Sequence, residues 1–123
     1  MEFVVEFYEE ENGESPVERF LDDLKRDQPR LYNLTLAGLK KLENSHNHGE
    51  PLTKSIGDDL YEARIGDKNI ARILWFYAVN RRIVLLHGFC KKTNRIPPKH
   101  RRIALYRKAD YLRREEERKG VNI

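Results

Sequence analysis

The apolar positions of the chain fall into two periods, one helical and one strand-like, and the change between them divides the sequence. Val17, Phe20, Leu21 and Leu24 lie at i, i+3, i+4 and i+7, a single stripe along one helix face. Ser15-Pro16-Val17-Glu18 starts that helix well: serine is a favoured N-cap, proline is tolerated at N1, and Glu18 holds the reciprocal capping-box position. Asp27-Gln28-Pro29 breaks it and opens a second helix, whose Leu31, Leu34, Leu39 and Leu42 carry it to about Asn44. Gly38 inside this helix costs up to about 1 kcal/mol in propensity. Two helices joined by so short a break form an antiparallel hairpin that needs a sheet to cover.

Strand patterning flanks the hairpin. Residues 2–8 (EFVVEFY) are rich in β-branched and aromatic side chains and predict a first strand, closed by the turn signal Asn12-Gly13. After a segment read as a loop, Ser45–Asp58, the period becomes that of strands: Leu60–Ile65, the turn Gly66–Asn69, Ile70–Val79, the turn Asn80-Arg81-Arg82, and Ile83–Cys90. The run IVLLHGFCKK from Ile83 to Lys92 reads as the central strand, apolar on both faces and ending in paired cations. A loop with Pro97-Pro98 leads to a last helix from about Lys99 to Arg118, docked by the few apolar positions Ile103, Leu105, Tyr106, Ala109 and Leu112. The expected architecture is one α+β domain over residues 1–123, in the order β-α-α-β-β-β-α with an antiparallel meander.

Charge sharpens this outline. Residues 1–30 hold ten acidic and four basic side chains, a net of −6, whereas residues 91–119 hold twelve basic and four acidic, a net of +8. A basic end of this kind suits a phosphate backbone and predicts binding that weakens steeply with salt; a solvated charge run is the alternative reading. No apolar run approaches the roughly 18 residues of a membrane span. The acidic start is the opposite of a signal peptide's, so a cytoplasmic protein without membrane contact is expected. The single Cys90 excludes an internal disulfide and reads as a buried thiol. His46 and His48 have no third ligand nearby, and neither a metal site nor a cofactor is expected.

The chain has no phosphate-cradling glycine loop and no nucleophile elbow. It has instead cations at strand positions. By alternation Arg72 stands among Ile70, Leu74 and Phe76, so its guanidinium must find a partner or face a solvated cleft. Glu62 and Arg64 share a face of the neighbouring strand. Arg64, Arg72, Lys91 and Lys92 converge on one patch if the turns are tight. Such a patch binds a phosphodiester and stabilises the charge that develops during in-line displacement, with the RNA 2′-hydroxyl as nucleophile. A binding patch without catalysis, or a purely structural one, is the alternative.

Leu60-Tyr61-Glu62-Ala63-Arg64, the Arg72-Ile73-Leu74 core of the next strand, and Leu85–Thr93, followed by Pro97 or Pro98, Ala104, Arg107 and Tyr111, resemble the phage-derived HigB-type toxins of the RelE/ParE superfamily. The resemblance covers about residues 2–113 and implies the same strand and helix order. It implies a type II toxin that cleaves mRNA in the ribosomal A site, leaving a 2′,3′-cyclic phosphate. Its partner would be a HigA-type helix-turn-helix antitoxin, and the complex would bind operator DNA through the antitoxin. By motif position Arg64 and Arg72 match the family's sheet-face basic residues, and Lys91 and Lys92 its strand-end pair. Lys54, Arg95, Lys99, Arg101 and Arg102 are the further cations expected to contact RNA or ribosome. Tyr106 and Tyr111 are each candidates for the family's C-terminal tyrosine and, equally, for the core; His87 is expected in the packing. A gyrase-inhibiting ParE-like toxin and an inactive nucleic-acid-binding relative are the alternative functions.

Overall fold

The computed structural model describes residues 2–91 and 94–121. Its elements are β1 (Val4–Phe7), α1 (Pro16–Asp27), α2 (Pro29–Lys41), a 3-10 turn at Ser45–Asn47, β2 (Thr53–Gly57), β3 (Leu60–Ile65), β4 (Ala71–Ala78), β5 (Arg82–Cys90) and α3 (Pro98–Val121). The five strands form one mixed sheet in the order β1-β5-β4-β3-β2; β1 runs parallel to β5 and the rest are antiparallel. The fold is thus the expected α+β class with a helical hairpin and a C-terminal helix.

Three expectations about the strands are corrected. Ser45–Asp58 is not all loop, because Thr53–Gly57 pairs with β3 as an edge strand. Its glycine- and proline-rich flanks hid a strand too short to show alternation, and so exposed that only Thr53 is buried. The central strand is β4, not β5. Six consecutive residues of β4, Ala71–Phe76, are buried, as befits a strand covered on both faces. Cys90, the last residue of β5, is exposed, because the helical cover runs out at the strand end.

Local signals explain why the helices begin where they do. Ser15 caps α1, its Oγ accepting from the Glu18 N–H at 3.3 Å, with Pro16 at the first helical position. Val17, Leu21 and Leu24 of α1 and Leu31, Leu39 and Leu42 at and after α2 pack on Ala63, Ile65, Ile73, Trp75, Ile83 and Leu85. Gly38 is required here and not merely tolerated: a Cβ would stand 2.7 Å from Ile65 Cγ1, so its absence lets α2 lie close against β3. The β2–β3 turn has two residues, Asp58 and Asp59, and the β4–β5 turn three, residues 79–81; Asp58, Asp59, Asn80 and Arg81 all take positive φ, from 55° to 63°, the backbone sense that matches strand twist.

The other sheet face is built from Leu60, Leu74, Phe76, Val84, Leu86 and Phe89, with Tyr8 and Ala104. Among the described residues of α3, Ala104 is fully buried and Leu105 packs half-buried on the same cluster; Tyr106, Ala109 and Leu112, expected to dock, face solvent. Long polar side chains replace them. Arg101 donates to Ile56 O at 2.6 Å, Arg107 to Leu86 O at 2.9 Å and Lys108 to Asp58 O at 2.9 Å. The Tyr8 hydroxyl donates to Asp110 at 2.7 Å, and Tyr111 donates to Glu6.

Register has one consequence for function. Pairing slips between Leu74/His87 and Trp75/Leu85, leaving Leu86 as an extra residue in β5. Before this bulge the odd-numbered Ile83 and Leu85 face the hairpin; after it His87 and Phe89 face α3, opposite Leu74 and Arg72. Gly88 then faces the hairpin, where a Cβ would lie 2.5 Å from the Phe20 ring.

Candidate phosphate-binding site

On the α3 face, Arg64, Arg72 and Phe89 lie side by side in register on β3, β4 and β5. The row begins the site. Arg72 is enclosed, with no exposed surface, and of the two outcomes foreseen for it the structure shows the partner: Glu62, equally enclosed, lies 3.6 Å away. Burial raises the Glu62 carboxyl above its usual range, with Arg72, Arg64 and Lys54 pulling against it, and the same burial lowers Arg72. Lys54 comes from β2, directly across from Glu62. One acidic group is therefore ringed by three cations from three adjacent strands.

The cations differ in access. Arg64 is half-buried and reaches outward, its Nη2 donating to Asn94 Oδ1 at 3.1 Å. Lys91 is exposed, and its backbone N–H bonds Ile70 O at 3.3 Å, which fixes the strand end to the start of β4. Lys92 lies outside the described residues. Arg95, Lys99 and Arg102 are exposed. Lys99 and Arg102 line a separate open groove with Tyr8, Tyr106 and Asp110. Arg101 is committed elsewhere, its second nitrogen donating to Asp58 at 2.6 Å on the β2–β3 turn. Arg64, Arg72, Lys54 and Lys91 are thus assembled about one sheet region, while Arg101 acts as a tether.

The two tyrosines separate clearly. Tyr111 is held by Glu6 and by Arg82 Nη1, which donates to its hydroxyl at 2.6 Å. Burial, then the Glu6 hydrogen bond, drives its phenol upward, so it remains neutral and structural. Tyr106 is 71% exposed, so it is neither core nor tied to the cation row.

Two residues of the site were not foreseen from the sequence. Asn94 is an ordinary loop residue until Arg64 meets it. His100 stacks face to face on Phe89, with ring centroids 3.9 Å apart and planes within 5°. His87 packs as expected, stacking at 5.7 Å on Phe89, but its ring nitrogens are also engaged: Nε2 with His100 Nδ1 at 2.7 Å and Nδ1 with Arg107 Nη1 at 3.1 Å. No local signal marks His100, since it meets Phe89 and His87 only when α3 folds back on β5.

His48 uses both nitrogens within the fold, bonding Leu42 O at 2.8 Å and the Tyr77 hydroxyl at 2.7 Å. Among the described residues no group of three His, Cys, Asp or Glu side chains is placed to hold a metal ion, and no helix is long and apolar enough to cross a membrane. An aromatic stack, a half-buried arginine and an exposed lysine on a rigid sheet can bind a phosphodiester and neutralise charge on it.

No curated protein matches the chain. Residues 19–109 match the family described as phage derived protein Gp49-like (DUF891), a span that includes most of the hairpin, the cation row and the first half of α3. The chain belongs to this phage-derived Gp49-like family, a RelE/HigB-like toxin family.

Proposed function

We propose that the protein is the toxin of a type II toxin–antitoxin pair and cleaves mRNA on the ribosome, its activity silenced by a helix-turn-helix antitoxin. The observation that carries this reading is the row Arg64–Arg72–Phe89 in register across three strands, with Phe89 stacked on His100, Arg72 paired with Glu62 beneath the surface, and the Lys91 charge acting on His100 from the end of β5. Membership of a family linked to RelE-type endoribonucleases supports it. In the reaction the substrate's 2′-hydroxyl gives up its proton to solvent as its oxygen bonds to the adjacent phosphorus, and the P–O5′ bond breaks with the leaving oxygen taking up a proton, giving a 2′,3′-cyclic phosphate and a 5′-hydroxyl. Arg64 and Lys91 contact the phosphoryl oxygens, whose charge grows in the transition state. Arg72, having no exposed surface, acts from beneath: with Glu62 it sets the field and position of Arg64. Lys92 and Arg95 grip the flanking phosphates.

Expression in a bacterial host followed by mapping of mRNA 5′ ends tests the proposal. Cuts within translated codons are expected, and Arg64→Ala or Lys91→Ala should lower the cutting rate by roughly 10²–10³. DNA damage without RNA cuts would assign the chain to a ParE-like activity instead. Absence of growth arrest and of cuts on expression of the soluble protein would overturn the toxin reading.

A further inference from the structure

The chain Arg107–His87–His100 has a consequence for proton placement that stacking alone would not have. A guanidinium has hydrogen-bond donors and no acceptor. Arg107 Nη1, 3.1 Å from His87 Nδ1, therefore requires that nitrogen to be bare. A neutral His87 then carries its hydrogen on Nε2, which faces His100 Nδ1 at 2.7 Å. His100 Nδ1 must accept, so the hydrogen of His100 sits on Nε2, which has no partner among the described residues. Protonating His100 would set two donors against each other, unless His87 moved its own hydrogen towards Arg107.

We propose that Arg107 and His87 fix His100 as a neutral imidazole that presents its Nε2–H to a phosphoryl oxygen of the substrate bound at Arg64 and Lys91. His100 is then a catalytic residue acting as a hydrogen-bond donor, while His87 and Arg107 are positioning residues. The inference rests on the nuclease reading for its substrate, a phosphodiester; the tautomer assignment stands apart from it.

The surroundings agree with this arrangement. His87 is pushed down to about 4, first by burial, then by Arg107 and His100. His100 is lowered by burial, then by Lys99 on its own helix and Lys91 at the end of β5. The charged groups acting on the pair are cationic, and no carboxylate among the described residues counters them. A neutral donor is useful beside such cations, because it adds a directional hydrogen bond to the anion without adding repulsion to the lysines. Phe89, parallel to the ring at 3.9 Å, fixes its plane.

Nitrogen-15 shifts of the imidazoles in the intact protein test the tautomers. His87 and His100 should both be the neutral Nε2–H form at neutral pH, and adding a 2′-deoxy-substituted oligonucleotide should move the His100 Nε2–H resonance. Arg107→Met should mix the His87 tautomers and shift the acid limb of the pH–rate profile upward. His100→Ala should lower cleavage of ribosome-bound mRNA by roughly 10²-fold, whereas His100→Gln, which keeps an N–H donor, should recover most of that loss. A His87 Nδ1–H tautomer, or an unmoved His100 resonance, overturns the proposal. If the unaltered protein cuts RNA and His100→Ala cuts equally fast, the inference fails while the nuclease reading stands. If the unaltered protein cuts nothing, the nuclease reading fails, and the resonance experiment alone decides whether His100 meets a phosphate.

Discussion

The hairpin α1–α2 and the helix α3 cover opposite faces of one sheet and are attached to it by different chemistry. The hairpin is held by leucines and Val17, each with less than a tenth of its surface exposed, packed on the apolar side of β3, β4 and β5. Helix α3 buries Ala104, packs the half-buried Leu105 and Tyr111 beside it, and otherwise holds on by polar contacts: Arg101, Arg107, Lys108 and Arg114 donate to backbone carbonyls, Tyr111 donates to Glu6, and Asp110 accepts from Tyr8. On the proposed reading this face remains open to a polyanion, and such a face is poorly suited to an apolar seal. The α3 face keeps its charges by letting the helix dock through hydrogen bonds, and the cation row, the buried ion pair and the His87–His100 pair all lie on it.

Variants that strike each attachment sharpen this contrast. The largest effect is expected from Arg72→Ala, which strands a fully buried carboxylate at Glu62 and should cost about 3–5 kcal/mol in denaturant unfolding. The double variant Glu62→Leu/Arg72→Met, which removes both buried charges, should restore most of the stability while leaving cleavage impaired. If the single variant unfolds at the same denaturant concentration as the unaltered protein, the pair does not support this face.

On the hairpin side, Leu21→Ala should lose about 2–5 kcal/mol by the same measurement. Gly88→Ala, which forces a methyl group towards Phe20, should cost about 1–3 kcal/mol. Neither loss should change with salt, because no charge is involved.

On the α3 side, Tyr8→Phe removes one neutral-to-charged hydrogen bond and should cost about 1.5–3 kcal/mol, less than the leucine. Its signature is in the pH dependence. The Tyr8 hydrogen bond, ahead of those from Arg113 and Arg114, lowers Asp110 below its ordinary 3.8. Its stabilising contribution is therefore complete above that value and is lost as pH falls through the lower folded value. Tyr8 is raised, by burial and then by Asp110, to about 12, so its contribution is complete below 10.0 and lost as pH rises towards 12. Hydrogen exchange should show α3 amides losing protection in acid before those of α1 and α2, and tyrosinate absorbance should show several phenols titrating late, Tyr8 and Tyr111 among them, with one fewer in Tyr8→Phe. Simultaneous release of all three helices in acid would contradict the distinction. The smallest effect belongs to the turn on which α3 rests: Asp59→Gly relieves a positive φ of 55° and should raise stability by up to about 1 kcal/mol.

Much of the frame was legible in residue order. Ser15-Pro16 and the stripe Val17–Leu24 define α1, and the alternating runs define β3, β4 and β5 to within about one residue, because caps, periods and turns act over a few neighbours. Edge strand β2 was hidden for the complementary reason: it is short and half solvated, and it exists only because β3 offers it hydrogen-bonding partners. Arg64 and Lys91 could be picked out by their charge and strand position. His100, Asn94 and the Glu62 pairing of Arg72 could not, since each depends on contacts made across the fold.

By itself, then, the sequence determined the elements, the basic character of the last third and the candidate arginines and lysines. It left undecided which face of the sheet each residue of late β5 would occupy. Alternation along an unbroken strand would put His87 and Phe89 with Ile83 and Leu85, under the hairpin. The bulge at Leu86 reverses the parity and delivers them to α3, beside Arg72 and His100. A bulge is a property of two strands, settled by which register best buries Leu86, Trp75 and Phe20 at once, and only the folded sheet contains that information.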